Sequence, residues 1–506
     1  MHLAMLLQMA ADGMSDRVAV GTLAAPMTMA ELGEGSMRVG SFLAAQRGDR
    51  VGLIDLNSEA IPLTLFGAAL AGKPFVPLNY RLTDDQLRSI VARIAPATIV
   101  VGEGIAARLG DLEDIVVVTR QELLAVARDA GQPLADPYGG DPESIAVLLY
   151  TSGTTGEPKA AVLRHRNLAS YILSTVEFAG AAPDEAALVS VPPYHIAGLS
   201  AVLSSTYAGR RIVYAETFEP ASWVSLVRSE RVTHAMVVPT MLNRILDVVD
   251  VVDHGGLPSL RIVSYGGGPM PAEVIGRAME LLTGVDFVNA YGLTETSSTI
   301  ALLGPEDHRE AFASGDSAVR ARLGSVGRPL PTVTVTIRGP GGEPLPTGQR
   351  GEIWVQGEQV SGEYLGAGAG AADGWFHTRD AGHLDQAGFL YVHGRLDDVI
   401  VRGGENLSPG EIEAVLVEHP AVLAAAVVGV PDTEWGEKVV AAVILADGAH
   451  ASEDELRNFV RARLRSTKTP ERIQVRAELP FNETGKLLRR VLREELAAAF
   501  VSPIAS

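Results

Sequence analysis

Four short stretches of the sequence carry residue types suited to nucleotide chemistry. The first is YTSGTTGEPKA, Tyr150 to Ala160, which packs three threonines, a serine, two glycines and a lysine directly after the apolar run IAVLL. A strand entering a glycine-rich turn exposes backbone N–H groups, and hydroxyls beside a lysine add donors matched to phosphate oxygens. The spacing is not that of a Walker A loop, because Gly153 and Gly156 are separated by two residues rather than four and Lys159 follows Pro158. For this stretch alone, a glycine-rich surface turn without a ligand is the competing reading.

The second stretch, NAYGLTETSS from Asn289 to Ser298, sets Glu295 among hydroxyls. A carboxylate beside a phosphate needs a cation between them, which makes Glu295 a Mg²⁺ ligand on the functional reading and an exposed acid in a polar turn on the bland one. The third, HTRDAG, holds Arg379 and Asp380; a fixed carboxylate accepts ribose hydroxyls, whereas the same two residues also make an ordinary surface ion pair. The fourth, LPFNETGKLLRR, places Lys486 after a glycine in a turn, where most lysines are simply solvated.

These residues need a scaffold. From Arg50 to Val101 and from Ile145 to Tyr150, short apolar runs alternate with helix-like segments such as DDQLRSIVARI, which predicts βα units and a largely parallel sheet. RIVSY, Arg261 to Tyr265, continues the pattern. From Thr332 the texture changes to TVTVTIRG, GEIWVQG and GFLYVHG, which predicts an antiparallel sheet or small barrel over about 325–395. A third region opens near residue 396. There Ser408, Pro409 and Glu411 fit a capping box with proline at the first helical position, and SEDELRNFVRARL opens a second helix. The expected fold is therefore α/β: an N-terminal domain over 1–395 and a small α+β domain over 396–506.

Composition narrows the function classes. A chain of 506 residues is too long for one ordinary core. A formal net charge of −19 repels polyphosphate backbones, so no nucleic-acid partner is expected. The absence of cysteine removes disulfides, thiolate nucleophiles and cysteine metal sites, and is compatible with a reducing cytoplasm. No basic region precedes the N-terminal apolar run, so no signal peptide is expected. Val422 to Val430 and Val439 to Ala446 have about half the length a membrane span needs and are expected as buried strands.

The four elements occur in one order in one chain, and four independent surface turns are a poor account of that. Together with YGGGP at Tyr265 to Pro269 and GRLDDVIVRGGEN, they resemble the adenylate-forming superfamily of acyl-CoA synthetases, adenylation domains and luciferases, over almost the whole chain. The resemblance implies that Thr151, Ser152, Gly153, Thr154, Thr155, Gly156 and Lys159 handle the ATP β- and γ-phosphates. Gly266, Gly267, Gly268 and Pro269 would line the adenine slot, adjoined by Tyr291, Gly292 and Leu293. Thr294 would meet the α-phosphate, and Glu295, with Thr151, the Mg²⁺. Asp380 and Arg395 would hold the ribose, Asp397 would be the hinge of a mobile C-terminal domain, and Lys486 would assist adenylation.

The same resemblance places the acyl pocket at His195, Ile196, Ala197, Gly198, Val238 and Gly266, with His195 as a gate towards the thiol. Amino-acid-activating members carry a Phe-Asp-x-Ser pattern where this chain has Tyr194, His195, Ile196 and Ala197, so the counter-charge for a substrate ammonium is lacking. The apolar and small residues instead favour an uncharged fatty, aryl or cyclic acyl group. The implied activity is an acid–CoA ligase using ATP, Mg²⁺ and coenzyme A. The alternatives are an enzyme loading a carrier protein on a separate chain, and a non-catalytic nucleotide-binding relative. Homodimerisation is compatible with all three. Departures from the family pattern are Ala160 and Arg164, where glycine and threonine are common, and Phe481 and Asn482 in place of Arg-Thr. A basic stretch, Leu456 to Arg490, has ten Lys/Arg against three Glu, and reads either as an attractor of coenzyme A phosphates or as a solvated face.

Overall fold

A computed structural model describes the chain except for residues 137–139, 152–157, 253–255, 367, 370–372, 404, 433, 447, 482–486 and 502–506. It divides into two compact units, Met1–Val335 with Val355–His377 and Thr336–Trp354 with Thr378–Ser506.

The first unit contains two large sheets. In the eight-stranded one, Phe75–Pro77, Arg50–Ile54, Ala97–Val101 and Ile115–Thr119 are successive parallel neighbours. Ala97–Val101 is buried at every position, as expected for a parallel strand covered on both faces. The predicted helix DDQLRSIVARI forms over Asp84–Ile94, started by a reciprocal Thr83–Gln86 capping box, and buries Leu87, Ile90, Val91 and Ile94. Ile145–Thr151 joins this sheet and turns back antiparallel into Lys159–Arg164.

The nine-stranded sheet has Asp286–Leu293, Ile262–Gly266, His234–Val237, Ala186–Val189 and Arg211–Tyr214 as consecutive parallel strands. Trp223, Tyr265 and Phe287 are the large side chains of its core. Tyr265 of the YGGGP motif is wholly buried there, and its phenol is hydrogen-bonded to His308 Nε2 at 2.8 Å.

The second unit takes in most of a four-stranded sheet made of Thr334–Arg338, Gly351–Gln356, Phe376–Leu384 and Leu390–Arg395. It also holds a five-stranded sheet built on the long antiparallel hairpin Val422–Asp432 and Gly436–Leu445, the two apolar runs foreseen as strands. Helices Pro409–Val417 and Glu453–Arg461 both form. Ser452 caps the second through Glu455 N–H, but the capping box expected at Ser408 does not form. Its hydroxyl donates instead to the His393 carbonyl at 3.1 Å, because the neighbouring strand offers an acceptor that the isolated helix lacks.

Candidate active site

The candidate residues of the first unit follow the carboxyl ends of adjacent parallel strands. After Ala186–Val189 comes the segment ending in His195; after His234–Val237 comes Val238; Ile262–Gly266 runs into Gly267, Gly268 and Pro269; and Asp286–Leu293 ends in Tyr291, Gly292 and Leu293. Open α/β sheets place ligands in the crevice beyond such ends. Register makes the approach close. A Cβ at Gly266 would lie 2.3 Å from the Ala290 carbonyl oxygen, so no other residue fits beside that strand without a shift. At Gly267 the same construction comes within 3.6 Å of Val238 Cγ1, which sets the adenine-slot and acyl-pocket candidates side by side.

His195, Ile196, Ala197 and Gly198 sit at the start of helix Ile196–Ala208, with His195 as its N-cap. The turn is held by His195 N–H donating to the Pro192 carbonyl at 3.2 Å. The His195 ring lies 5.0 Å from that of buried Tyr194, whose other side meets Tyr80 edge-on at 5.8 Å. The imidazole is half-buried, beside an aromatic pair at a helix start.

Thr294 and Glu295 form a tight turn, Thr294–Thr296, between the antiparallel strands Asp286–Leu293 and Ser298–Leu303. Thr296 is wholly buried; its hydroxyl accepts from Leu293 N–H at 2.9 Å and lies 2.8 Å from the Ser298 carbonyl. Ser297 and Ser298 then take φ of +55° and +110°, a region side chains rarely adopt. Such strain, of order 1–3 kcal/mol per residue, persists only where the surroundings over-determine it, and it clusters at functional sites.

What over-determines the turn is the segment Gln359–Leu365, which the sequence reading missed. Gln359 donates to the Thr296 and Thr299 carbonyls at 3.0 and 2.8 Å, and Ser361 and Gly362 N–H donate to the Glu295 carbonyl at 2.9 and 3.2 Å. Tyr364 Oη donates to Glu295 Oε1. The Glu295 side chain is only 7% exposed, so this carboxylate is not the solvated acid of a surface turn. The segment also pairs as a short strand with Lys159–Arg164, Tyr364 opposite Ala161. It thereby places Tyr364 between Glu295 and Lys159. Thr151 and Lys159 face each other in register, and the Lys159 ammonium lies 5.9 Å from the centre of the Tyr364 ring. Arg164, one of the departures from the family pattern, grips Glu363 through two bonds of 3.0 and 2.9 Å. No composition or spacing signal marks EY at 363–364; its role follows from strand pairing alone. Ser152, Gly153, Thr154, Thr155 and Gly156 lie outside the described residues.

In the second unit, Asp380 and Arg395 are cross-strand partners, joined by an ion pair of 3.2 Å, with Asp380 6% exposed. Asp397 accepts from Arg379 at 2.6 Å and lies 3.9 Å from Arg395. The hydrogen bond to Asp397 raises the Arg379 guanidinium above its ordinary range. Arg379 has φ of +62°, a further strained non-glycine at a candidate motif. Lys486 lies outside the described residues. The basic stretch is largely neutralised: Arg457, Arg463, Arg465, Lys468, Arg472, Arg476, Arg489 and Arg490 each have a carboxylate within 3.8 Å. The structure thus favours the solvated, ion-paired face over a free cationic patch.

Among the described residues no helix is long and apolar enough to cross a membrane, and no cluster of three or more His, Asp or Glu could hold a metal unaided. The AMP-binding enzyme family matches residues 7–365, and the AMP-binding enzyme C-terminal domain matches residues 411–486. The chain is 36% identical to a feruloyl-CoA synthase of an Amycolatopsis species, covering 92% of this chain and 93% of the relative. It is 34% identical to the fatty acid–[acyl-carrier-protein] ligase ScoC of Streptomyces coeruleorubidus, covering 92% and 91%. Among solved structures, o-succinylbenzoate CoA synthetase from Bacillus subtilis in complex with its acyl-adenylate intermediate superposes with a TM-score of 0.82 at 30% identity, over 96% of this chain and 97% of that one. The chain belongs to the adenylate-forming acyl-CoA ligase family of AMP-binding enzymes.

Proposed function

We propose that this protein is an ATP-dependent acid–CoA ligase that activates an apolar carboxylic acid as its acyl-adenylate, releases pyrophosphate, and passes the acyl group to coenzyme A. The observation that carries the reading is the buried Glu295 carboxylate, joined by one segment to the strand Lys159–Arg164, beyond the carboxyl ends of adjacent parallel strands. The chemistry requires such an arrangement. A thiol cannot displace an oxygen from a free carboxylate, because the leaving group would be oxide or hydroxide; attachment of AMP turns that oxygen into a good leaving group.

Attack of the acid on the α-phosphorus brings two anions together and expels pyrophosphate, so the site must offset spreading negative charge. In this reading Thr294 contacts the α-phosphate, Lys159 and the Thr151-to-Gly156 donors orient the β- and γ-phosphates, and Lys486 assists the transferring centre. A single buried carboxylate beside hydroxyls fits Mg²⁺, which is bound through one or two carboxylates together with substrate phosphates. Glu295 and Thr151 would hold it, and it would supply charge neutralisation of the phosphates. Gly266 to Pro269 with Tyr291 to Leu293 take the adenine, and Asp380 with Arg395 the ribose. His195 to Gly198, Val238 and Gly266 line the acyl pocket.

The second half-reaction needs a thiol where Lys486 had been, and a C-terminal domain turning about a hinge at Asp397 would serve that exchange. The reading expects a cytoplasmic protein, with ATP and coenzyme A at hand, and accommodates a homodimer. One observation favours a second acceptor: the similarity to ScoC suits transfer to the phosphopantetheine of a carrier protein.

The purified protein, given ATP, Mg²⁺, coenzyme A and a panel of fatty, cinnamate-type and cyclic acids, is expected to release pyrophosphate with at least one class. Silence with every acid class sinks the enzyme reading. Turnover with a carrier protein but not with coenzyme A replaces the acceptor.

A further inference from the structure

We propose that Tyr364 is a positioning residue for the metal-binding carboxylate, an inference that rests on the function proposed above. Its phenol donates to Glu295 Oε1, and the same backbone segment donates two N–H bonds to the Glu295 carbonyl. Both the main chain and the side chain of Glu295 are therefore held from one direction. A carboxylate that uses one oxygen to accept from a half-buried phenol has its rotamer fixed, so the other oxygen has a defined direction in which to meet a cation. Loss of a group that orients a metal ligand in this way typically costs about 10- to 100-fold in metal affinity. The ring of Tyr364 also faces Lys159 at 5.9 Å, so a single side chain sets the spacing between the carboxylate and the phosphate-loop lysine.

The strand that carries Tyr364 is itself anchored from behind. Arg164 holds Glu363 with two hydrogen bonds and also donates to the Glu143 carbonyl, while the Ser361 hydroxyl donates to the Val162 carbonyl. These contacts fix the strand in register with Lys159–Arg164. Arg164 then has a physical purpose: it clamps the strand on which the phenol sits.

The test measures binding of α,β-methylene-ATP to the full chain by calorimetry at graded Mg²⁺. Tyr364→Phe keeps the ring and removes only the hydroxyl. It is expected to raise the Mg²⁺ concentration needed for half-maximal nucleotide affinity about tenfold, with little change in affinity at saturating Mg²⁺. In a Glu295→Gln background the same substitution should add no further shift, since its route of action is gone. Glu363→Gln loosens the strand from outside the site and should move the Mg²⁺ requirement the same way by a smaller factor; it serves as the measurement if the phenylalanine variant melts early. An unchanged Mg²⁺ requirement in both single variants, or a loss of affinity that saturating Mg²⁺ does not restore, overturns the inference. Absence of Mg²⁺-dependent nucleotide binding in the wild-type chain overturns the proposed function along with it, whereas nucleotide binding without turnover of any acid leaves the Tyr364 result readable.

Discussion

Replacing Gly292 with alanine should remove most adenylation activity without unfolding the protein. A Cβ at this position would lie 1.8 Å from the Ser298 carbonyl oxygen and 2.6 Å from its carbon, backbone atoms that no side-chain rotation can move away. Ordinary contact begins at 3.4 Å, so the two strands must part by about 1.6 Å (3.4 less 1.8) beside the turn that carries Thr294 and Glu295. A misplacement of about 1 Å can cost on the order of 100-fold in rate, equivalent to about 2.7 kcal/mol of transition-state stabilisation. The control is Gly276→Ala in helix Ala272–Leu281, where an added Cβ meets nothing within 4 Å. It should leave the rate unchanged and stabilise the helix by about 1 kcal/mol. Pyrophosphate release with an accepted acid reads the rate, and thermal melting confirms that both variants fold. A folded Gly292→Ala protein that works within about threefold of the wild type would refute the claim that this hairpin fixes the Glu295 turn.

Lys486→Ala should slow adenylation far more than thioester formation from a supplied acyl-adenylate, and equal loss in both half-reactions would remove its assigned role. Asp380→Asn should raise the KM for ATP about tenfold, about 1.4 kcal/mol, with little effect on the KM for the acid; a shift shared by both substrates contradicts ribose binding. Arg379 adopts φ of +62°, so Arg379→Gly, which is free of that strain, should be more stable than Arg379→Ala by about 1 kcal/mol. Identical melting temperatures of the two variants would count against strain at this motif. Burial holds the stacked His2 and His165 at pKa values of about 4 and about 3, against 6.5 when unfolded. The unfolded chain then binds more protons as pH falls below 6.5, so stability should be lost towards pH 4, by up to about 1.4 kcal/mol per pH unit for each ring. A His165→Gln protein should show a shallower fall in melting temperature between pH 7 and 5, and parallel curves would exclude the pair as the cause.

Much of the scaffold was legible because it is local. The apolar runs at Arg50, Ile145 and Val422 became strands, and DDQLRSIVARI became a helix, since periodicity and burial are properties of neighbouring residues. Local reading failed where a distant group competed. Ser408 has the right neighbours for a capping box, yet its hydroxyl found the His393 carbonyl. The basic stretch from Leu456 looks like a free cationic patch only until carboxylates such as Glu411, Glu413 and Glu495 are seen against it.

For the site, the sequence by itself supplied the chemical inventory that the proposed function uses: hydroxyls and Lys159 matched to phosphates, Glu295 to a cation, and Asp380 to ribose hydroxyls. Donor and acceptor types are written in residue identity, and their order along the chain matched a known family. Only the tertiary structure decided that Glu295 is buried, that Asp380 and Arg395 are cross-strand partners, and that Tyr364 bonds Glu295 from a strand held by Arg164. Tyr364 and Glu295 are 69 positions apart, and they meet because strand register and the Gln359–Leu365 segment place them together. No local pattern encodes such a contact, since it depends on how two sheets share one connecting segment.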